Sequence, residues 1–470
     1  MKISVGRKEA VWSILGTSLS MMANFIVLPF ILYFMDDESI GLYYVMTSLS
    51  SIATLFDFGF SPALSRSMAY AWSGSERLCT QGAEQNENTE PNYVLMYRII
   101  KSCKLIYGVL SGVALILAVF GGTVYINSIT KDFEGNSHIV AWLVYAFAIF
   151  FNLLYGFYSV FLRGVGAVDK VNIATVLARI IQILICIVLL YLGIGLLGVA
   201  IAYIAYGFSF RILAKHWFYK HENIGDIFRG LGIKARDLNI REILQTIWPN
   251  TWRDGVVTIS NYLLNQATTI IASLYFSLYQ TGIYSLAFQL TTAIATISMS
   301  LYNSYQPALQ SAHATGDKSA TKRYLSAGIV SFIGVFVLGI LFLLLLGEPI
   351  LSIIRPSYVI DKLLIVATAS CQFIQCYRNC YTSYLSCTNR LIYTKAFVAS
   401  SILCVFLSLF FVAGLRWGIY GLVIGQFLSQ VVFNAWYWPR YVRNELNLGI
   451  RTIVALGMRE LYTMIKREKR

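Results

Sequence analysis

The stretch "SFIGVFVLGILFLLLL" (331–346) contains neither a charge nor a proline. Few folds are open to such a run. Hydrocarbon offers no partner to a peptide N–H or C=O, so a chain that crosses it must close its hydrogen bonds internally, as a helix or a closed barrel. About 20 apolar residues cross the core as a helix, whereas a barrel strand needs about 10 with alternating polarity. Runs of helical length recur at roughly 11–34, 40–65, 101–126, 139–162, 171–192, 195–217, 246–276, 281–309, 324–346, 361–387, 391–414 and 418–438. The sequence therefore predicts an all-α integral membrane protein with about twelve transmembrane helices. Composition agrees: 13% of residues are charged, against about 25% in soluble domains. The first run, Val11 to Phe34, is too long for the core of a cleavable signal peptide.

The net charge of +14 would suit nucleic acid if it were gathered on one face. It is spread instead over alternate loops. Lys and Arg cluster before the first run, after the second, fourth, sixth, eighth and tenth, and in the tail "KREKR". The other connections are poor in them; the first reads "DDES". The positive-inside rule then places both termini in the cytoplasm and excludes a nucleic-acid groove. Segment 73–91 is polar and acidic and reads as a flexible loop. Residues 218–240 form the longest basic connector, a hinge between an N-terminal lobe (1–217) and a C-terminal lobe (241–440). Residues 441–470 are a basic amphipathic cytoplasmic tail, too charged to span.

Enzyme chemistry finds little footing. The eight cysteines include no C-x-x-C pair, and Cys371, Cys376, Cys380 and Cys387 share one apolar segment as packing residues. The four histidines form no ligand-spaced set, so no metal, cofactor or catalytic group is expected.

The chain repeats itself. At a shift of 241, Ser13, Thr17, Ser20 and Asn24 fall on Asp254, Thr258, Asn261 and Asn265, and Gly41 and Tyr43 fall on Gly282 and Tyr284. At a shift of 223, Leu162 falls on Leu385, Gly195 on Gly418, Gly198 on Gly421 and Asn152 on Gln375. Two six-helix lobes of the same orientation would be related by an axis along the membrane normal, with a substrate site between them. Both polar stripes follow i, i+4, i+7, i+11 and so share a helix face. Either they bond helix to helix, or they line a central aqueous cavity. The repeat favours the cavity, with Arg253 and Asp254 at its inner mouth.

Two arginines lie deeper. Arg179 is nine residues beyond Lys170, and Arg378 twelve before Arg390. At 1.5 Å per residue each sits far inside the core. Intramembrane arginines face a bundle interior or a cavity. A guanidinium keeps its charge and grips phosphate through a planar fork. Gln375 shares a face with Arg378. The bland reading is a structural ion pair, for instance with Asp57 of "LFDFGF"; the functional reading is a cationic cavity for an anionic substrate, with Asp57 and Asp254 as coupling or ion-pair groups.

The opening "LGTSLSMMANFIVLPFILYFMDDESIGLYYVMTSLSSIATLFDFGFSPALSR", with "GIGLLGVAIAY" and "WGIYGLVIGQ", resembles the polysaccharide-unit (O-antigen-unit) flippases of the multidrug/oligosaccharidyl-lipid/polysaccharide exporter superfamily. The resemblance implies a transporter of the bacterial inner membrane. It would move undecaprenyl-diphosphate-linked oligosaccharide units (O-antigen, capsule or exopolysaccharide) to the outer leaflet by alternating access. It would require no cofactor, could draw on a proton or sodium gradient, and would work beside a polysaccharide polymerase and a chain-length regulator. The substrate-binding residues expected are Arg179, Arg378, Arg253, Asn24, Asn261, Asn265 and Gln375. The alternatives are a cation-coupled multidrug exporter of the same superfamily and an integral-membrane polysaccharide polymerase or ligase; the short non-cytoplasmic loops count against the latter.

Overall fold

In the computed structural model the described residues are 26–57, 60–78, 90–131, 133, 135–154, 156–230, 240–306, 309, 312, 317–354, 361–387 and 392–468. Among them there is no strand, and every apolar run closes its backbone bonds as a helix. This is the solution hydrocarbon imposes on an open chain. Nine helices among the described residues are long and apolar enough to cross a membrane. The expected count of twelve includes three more segments. Most of 11–34 lies outside the described residues. The other two are helical but carry too many polar side chains to count on apolarity, and these are the helices with the Asn stripe and with Arg378.

The chain forms two compact units, 1–262 and 263–470. Residues 218–240, the expected connector, lie in the first of them. Beyond the left-handed Glu222 and Asn223 the connector begins a new short helix, Ile224–Gly230. Most of the next helix joins the first unit. Ile243 enters its core, Trp248 packs on Phe60 with centroids 6.4 Å apart, and Tyr262 Oη donates to the Ser48 carbonyl at 3.4 Å.

In the first unit, α1 (26–34) is followed by α2 (Asp37–Ser50), α3 (Ile52–Asp57) and α4 (Phe60–Trp72). Next come α5 (Tyr93–Ile116), a π-helical turn (Leu117–Gly122) and α6 (Thr123–Ile129). Helices α7 (Ser137–Leu154) and α8 (Phe157–Gly164) come next in the chain. Helices α9 (Val168–Tyr191), α10 (Leu196–Lys220), α11 (Ile224–Gly230) and α12 (Ile240–Asn265) follow. Helix α10 packs along both α7 and α9.

In the second unit, α13 (Ala267–Tyr275) follows a break at Gln266. Breaking a helix strands a carbonyl, and the Gln426 amide answers it, donating to Leu264 O at 2.8 Å. Then come α14 (Leu278–Ser304), α15 (Lys318–Ile354), α16 (Lys362–Cys387), α17 (Thr394–Leu409), α18 (Ile419–Val431), α19 (Asn434–Glu445) and α20 (Ile450–Glu468). Cys371, Cys376 and Cys380 are buried and free on α16.

The internal repeat is visible in local geometry. At the shift of 241, Asp36 accepts from Ser39 N and caps α2, while Ser277 accepts from Gln280 N and caps α14. The preceding bonds match too: Met35 N to Ile31 O, and Phe276 N to Ala272 O. At the shift of 223, Gly195 and Gly418 both precede a helix in the same rare conformation (φ 57, ψ −133 and φ 65, ψ −154). Only glycine adopts such angles without strain. Each then accepts a 3.0 Å bond from the glycine three residues on, Gly198 or Gly421. The matched segments thus share, at one shift, a cap and, at the other, a positive-φ turn, each with the same bond register.

Candidate functional site

Within the first unit, α10 turns one face toward α9 and α7, and its residues there are Tyr203, Tyr206, Gly207, Phe210 and Arg211. Spacings of three and four put them in line. Arg179 reaches across from α9, and its guanidinium lies over the Tyr206 ring, 4.2 Å from the centroid. Its Nη1 donates to Gln182 Oε1 at 2.8 Å, one turn along α9. Tyr206 stacks on Phe210 with planes 9° apart, and Arg211 lies 5.6 Å from the Phe210 centroid. Tyr203 stacks on Tyr145 of α7 at 4.7 Å and is in electrostatic reach of both arginines. Two cations thus flank a ladder of aromatic faces, which softens the cost of burying charge without neutralising it.

Arg211 reaches the last turn of α7. Its Nη2 donates to Asn152 Oδ1 at 3.4 Å, and its Nη1 lies 3.5 Å from where a Cβ on Gly156 would stand. The close approach of α7 to α10 depends on Gly207, since a Cβ there would meet Asn152 Oδ1 at 2.3 Å.

The cluster leaves donors unused. Arg179 Nε, Arg211 Nε and Asn152 Nδ2 are buried and have no hydrogen-bond partner among the described residues. Nor does a carboxylate there pair with either guanidinium. Asp57, the acid weighed as an ion-pair partner, accepts from Tyr107 Oη and from Ser61 Oγ at 2.9 Å. The ion pair weighed for it with an arginine does not form among the described residues. Three orphaned donors with no acid make a site complementary to an anion rich in acceptors.

Arg378 is placed differently. It is 2% exposed and enclosed within the second unit. Its Nη1 donates to Gln430 Oε1, its Nε and Nη2 donate to Asn379 Oδ1 at 3.3 and 3.0 Å, and its plane lies 3.9 Å from the Phe397 centroid. Gln375, 5% exposed and one turn earlier on α16, keeps its Nε2 without a partner. Asn261 is exposed and Asn265 half-buried at the end of α12, both with bonding partners. Arg253 and Asp254 lie on that helix, with side chains outside the described residues, and Asn24 lies outside them altogether. The structure therefore groups Arg179 with Arg211, Asn152 and the tyrosines, and sets Arg378 and Gln375 apart in the other unit. Arg211 and Asn152 were not singled out as site residues in the sequence.

The fold matches solved membrane transporters. An inward-facing multidrug resistance MATE family transporter of the MOP superfamily superposes with a TM-score of 0.61 at 16% identity, over 92% of this chain and 98% of that one. The lipid II flippase MurJ in an inward closed conformation gives 0.62 at 13% identity, over 97% and 92%. A MOP superfamily transporter from Pyrococcus furiosus, described as having a binding pocket of reverse polarity, gives 0.55 at 14%, over 94% and 96%. At such identities the likeness is one of fold. A comparison with curated proteins finds no match. The family described as "Polysaccharide biosynthesis protein" matches residues 7–313, more than half of the chain. This multi-pass membrane protein, with the fold of the MOP superfamily, belongs to that polysaccharide biosynthesis family.

Proposed function

We propose that the protein is a flippase for lipid-linked oligosaccharide, carrying undecaprenyl-diphosphate-linked repeat units from the cytoplasmic to the outer leaflet of the bacterial inner membrane. Both termini are then cytoplasmic. The observation that carries this reading is the acid-free cluster of Arg179 and Arg211 with three buried, unused donors. A diphosphate supplies acceptors to both guanidinium forks. The stacked Tyr145–Tyr203 pair and Tyr206 offer faces and hydroxyls to the first sugars. A cationic drug would find no carboxylate there, so the multidrug alternative fits this cluster poorly. Movement between leaflets is by alternating access of the two lobes, driven by a proton or sodium gradient, with the product passed to a polymerase. Arg253, Asn24, Asn261 and Asn265 contribute along the route.

The test is translocation of a fluorescent undecaprenyl-diphosphate oligosaccharide in proteoliposomes. The wild-type protein should move it between leaflets without covalent change. The double variant Arg179→Ala, Arg211→Ala should insert at wild-type abundance and lose at least a hundredfold in rate. This follows from about 1.5–3 kcal/mol for each charged hydrogen bond. The Lys variants should fall between, because they keep charge but lose the fork. Wild-type rates in the double Ala variant would overturn the assignment, and a chain-extended or hydrolysed product would indicate the polymerase or ligase class.

A further inference from the structure

The C-terminal helix α20 has three faces, and among the described residues one of them is packed against the protein. Ile453 is buried in the second unit's core. Gly457 lies against Val330 and the Ser326 carbonyl, and Glu460 pairs with Arg323 at 3.9 Å. These contacts run α20 along the first turns of α15, the end that carries Lys318, Lys322 and Arg323. The next face is apolar yet uncovered: Ile450, Val454, Met458 and Tyr462, at every fourth position, are 64, 51, 59 and 66% exposed. The third is basic. Arg451 and Arg459 are exposed, and among the described residues neither pairs with an acid. On a helix of 3.6 residues per turn the apolar stripe lies beside the docked face, and the arginines lie beyond the stripe.

We propose that α20 is an anionic-lipid latch. Its apolar stripe enters the edge of the bilayer beside α15, and Arg451 and Arg459 bind the phosphates of anionic phospholipid headgroups in that leaflet. A helix in the interface keeps its apolar face at the acyl boundary and its cations at the headgroups, and α20 has that order of faces. Docking through Ile453, Gly457 and Glu460 fixes the helix to the second unit, so the lipid contact is made by a rigid element. The proposal concerns the tail alone and does not depend on the transported substrate.

The experiment is hydrogen exchange of the α20 amides in full-length protein held in nanodiscs. Discs of phosphatidylcholine alone are compared with discs of equal parts phosphatidylcholine and phosphatidylglycerol. An arginine near an anionic surface gains roughly fivefold in partitioning, so two give about thirtyfold stronger protection with phosphatidylglycerol. High salt should remove that gain. The double variant Arg451→Gln, Arg459→Gln should show the same weak protection in both discs, and the Arg→Lys pair should keep the difference. Should the Gln pair fail to fold, the Lys pair and the salt titration of the wild type decide the matter. Equal wild-type protection in the two lipids would overturn the proposal. So would protection by inorganic phosphate in phosphatidylcholine discs, which would mark an anion site independent of the membrane.

Discussion

Shifted by 223 residues, Arg211 falls on Asn434, Gly207 on Gln430, Asn152 on Gln375 and Tyr155 on Arg378. In each unit, then, a guanidinium bridges the same pair of helices, but from opposite sides. In the second it comes from the earlier helix and reaches Gln430 and its neighbours; in the first it comes from the later helix and reaches Asn152. The surroundings differ more than the positions. Around Arg378 each guanidinium nitrogen donates, and the network continues from Asn434 to Ser400 at 2.8 Å and from Trp438 to Asn434 at 2.9 Å. Around Arg211 one long bond is made among the described residues, while its Nε and the Asn152 amide are left over. A buried cation with its donors filled braces the fold. One with donors to spare is costly until an acceptor arrives, and the cost is recovered when an anion binds.

The largest expected effect lies in the filled site. Arg378→Ala should remove about 3–5 kcal/mol of stability, because Gln430 and Asn379 lose a buried partner and a cavity opens on Phe397. Thermal unfolding in detergent and the amount of folded protein in the membrane would report it. A stable Arg378→Ala protein that fails only in transport would break the comparison and return Arg378 to the substrate site. The second effect is on activity. Arg211→Asn gives the first unit the residue that its counterpart carries at Asn434. It should leave unfolding within about 1 kcal/mol of wild type and slow translocation roughly tenfold to a hundredfold. Loss of fold with retained specific activity would make Arg211 a second brace.

The sequence disclosed some of this readily and hid the rest for physical reasons. Arg179 and Arg378 stood out because each interrupts an apolar run. Arg211 did not, because it lies four residues before Lys215 and merged with the basic end of the sixth run. The signals that single it out are the line of Tyr203, Tyr206 and Phe210 on its own face, and its match with a buried Asn434 under the repeat. The two glycine turns were legible as a matched pair, and both take the same left-handed form. The break at Gln266 carries no proline and gives no warning. It is held by a side chain from a distant helix, Gln426, whose partner no local pattern names. Helix α16 has the expected limits, but Gln372, Gln375, Arg378 and Asn379 make it too polar to count as a span on composition.

Asn152 Nδ2 and Gln375 Nε2 are both buried without partners, one beside the open arginine and one beside the filled one. Gln375→Leu should be neutral or stabilising by about 1 kcal/mol, since it removes an unmet donor, and translocation should be retained. Asn152→Leu should slow translocation several-fold, because it takes an acceptor from Arg211 and a donor from the anion. Unfolding temperature and rate, measured on both variants, distinguish the two. A transport loss in Gln375→Leu equal to that in Asn152→Leu would place both amides on the substrate route.

The smallest expected effect lies at another pair of matched positions. Asp361 caps α16, accepting from Leu363 N at 2.9 Å and from the Tyr420 hydroxyl. Where the second unit has Asp361 and Tyr420, the first has His138 and Leu197, so this bond belongs to one unit alone. The Tyr420 hydroxyl and then the Leu363 N–H hold the Asp361 carboxyl below the ordinary carboxylate range. Because its folded pKa is below the unfolded value of about 3.9, the ionised group stabilises the second unit above that pH. The contribution is lost as pH falls through the folded pKa. The site is exposed, so solvent screening keeps the effect modest. Unfolding temperature should thus drop more steeply below about pH 4 in the wild type than in Asp361→Asn, and the curves should stay parallel from about pH 5 to 7. Substituting His138 in the first unit should leave this acid limb unchanged. Identical acid limbs in the wild type and Asp361→Asn would show that the cap contributes nothing to the difference between the two units.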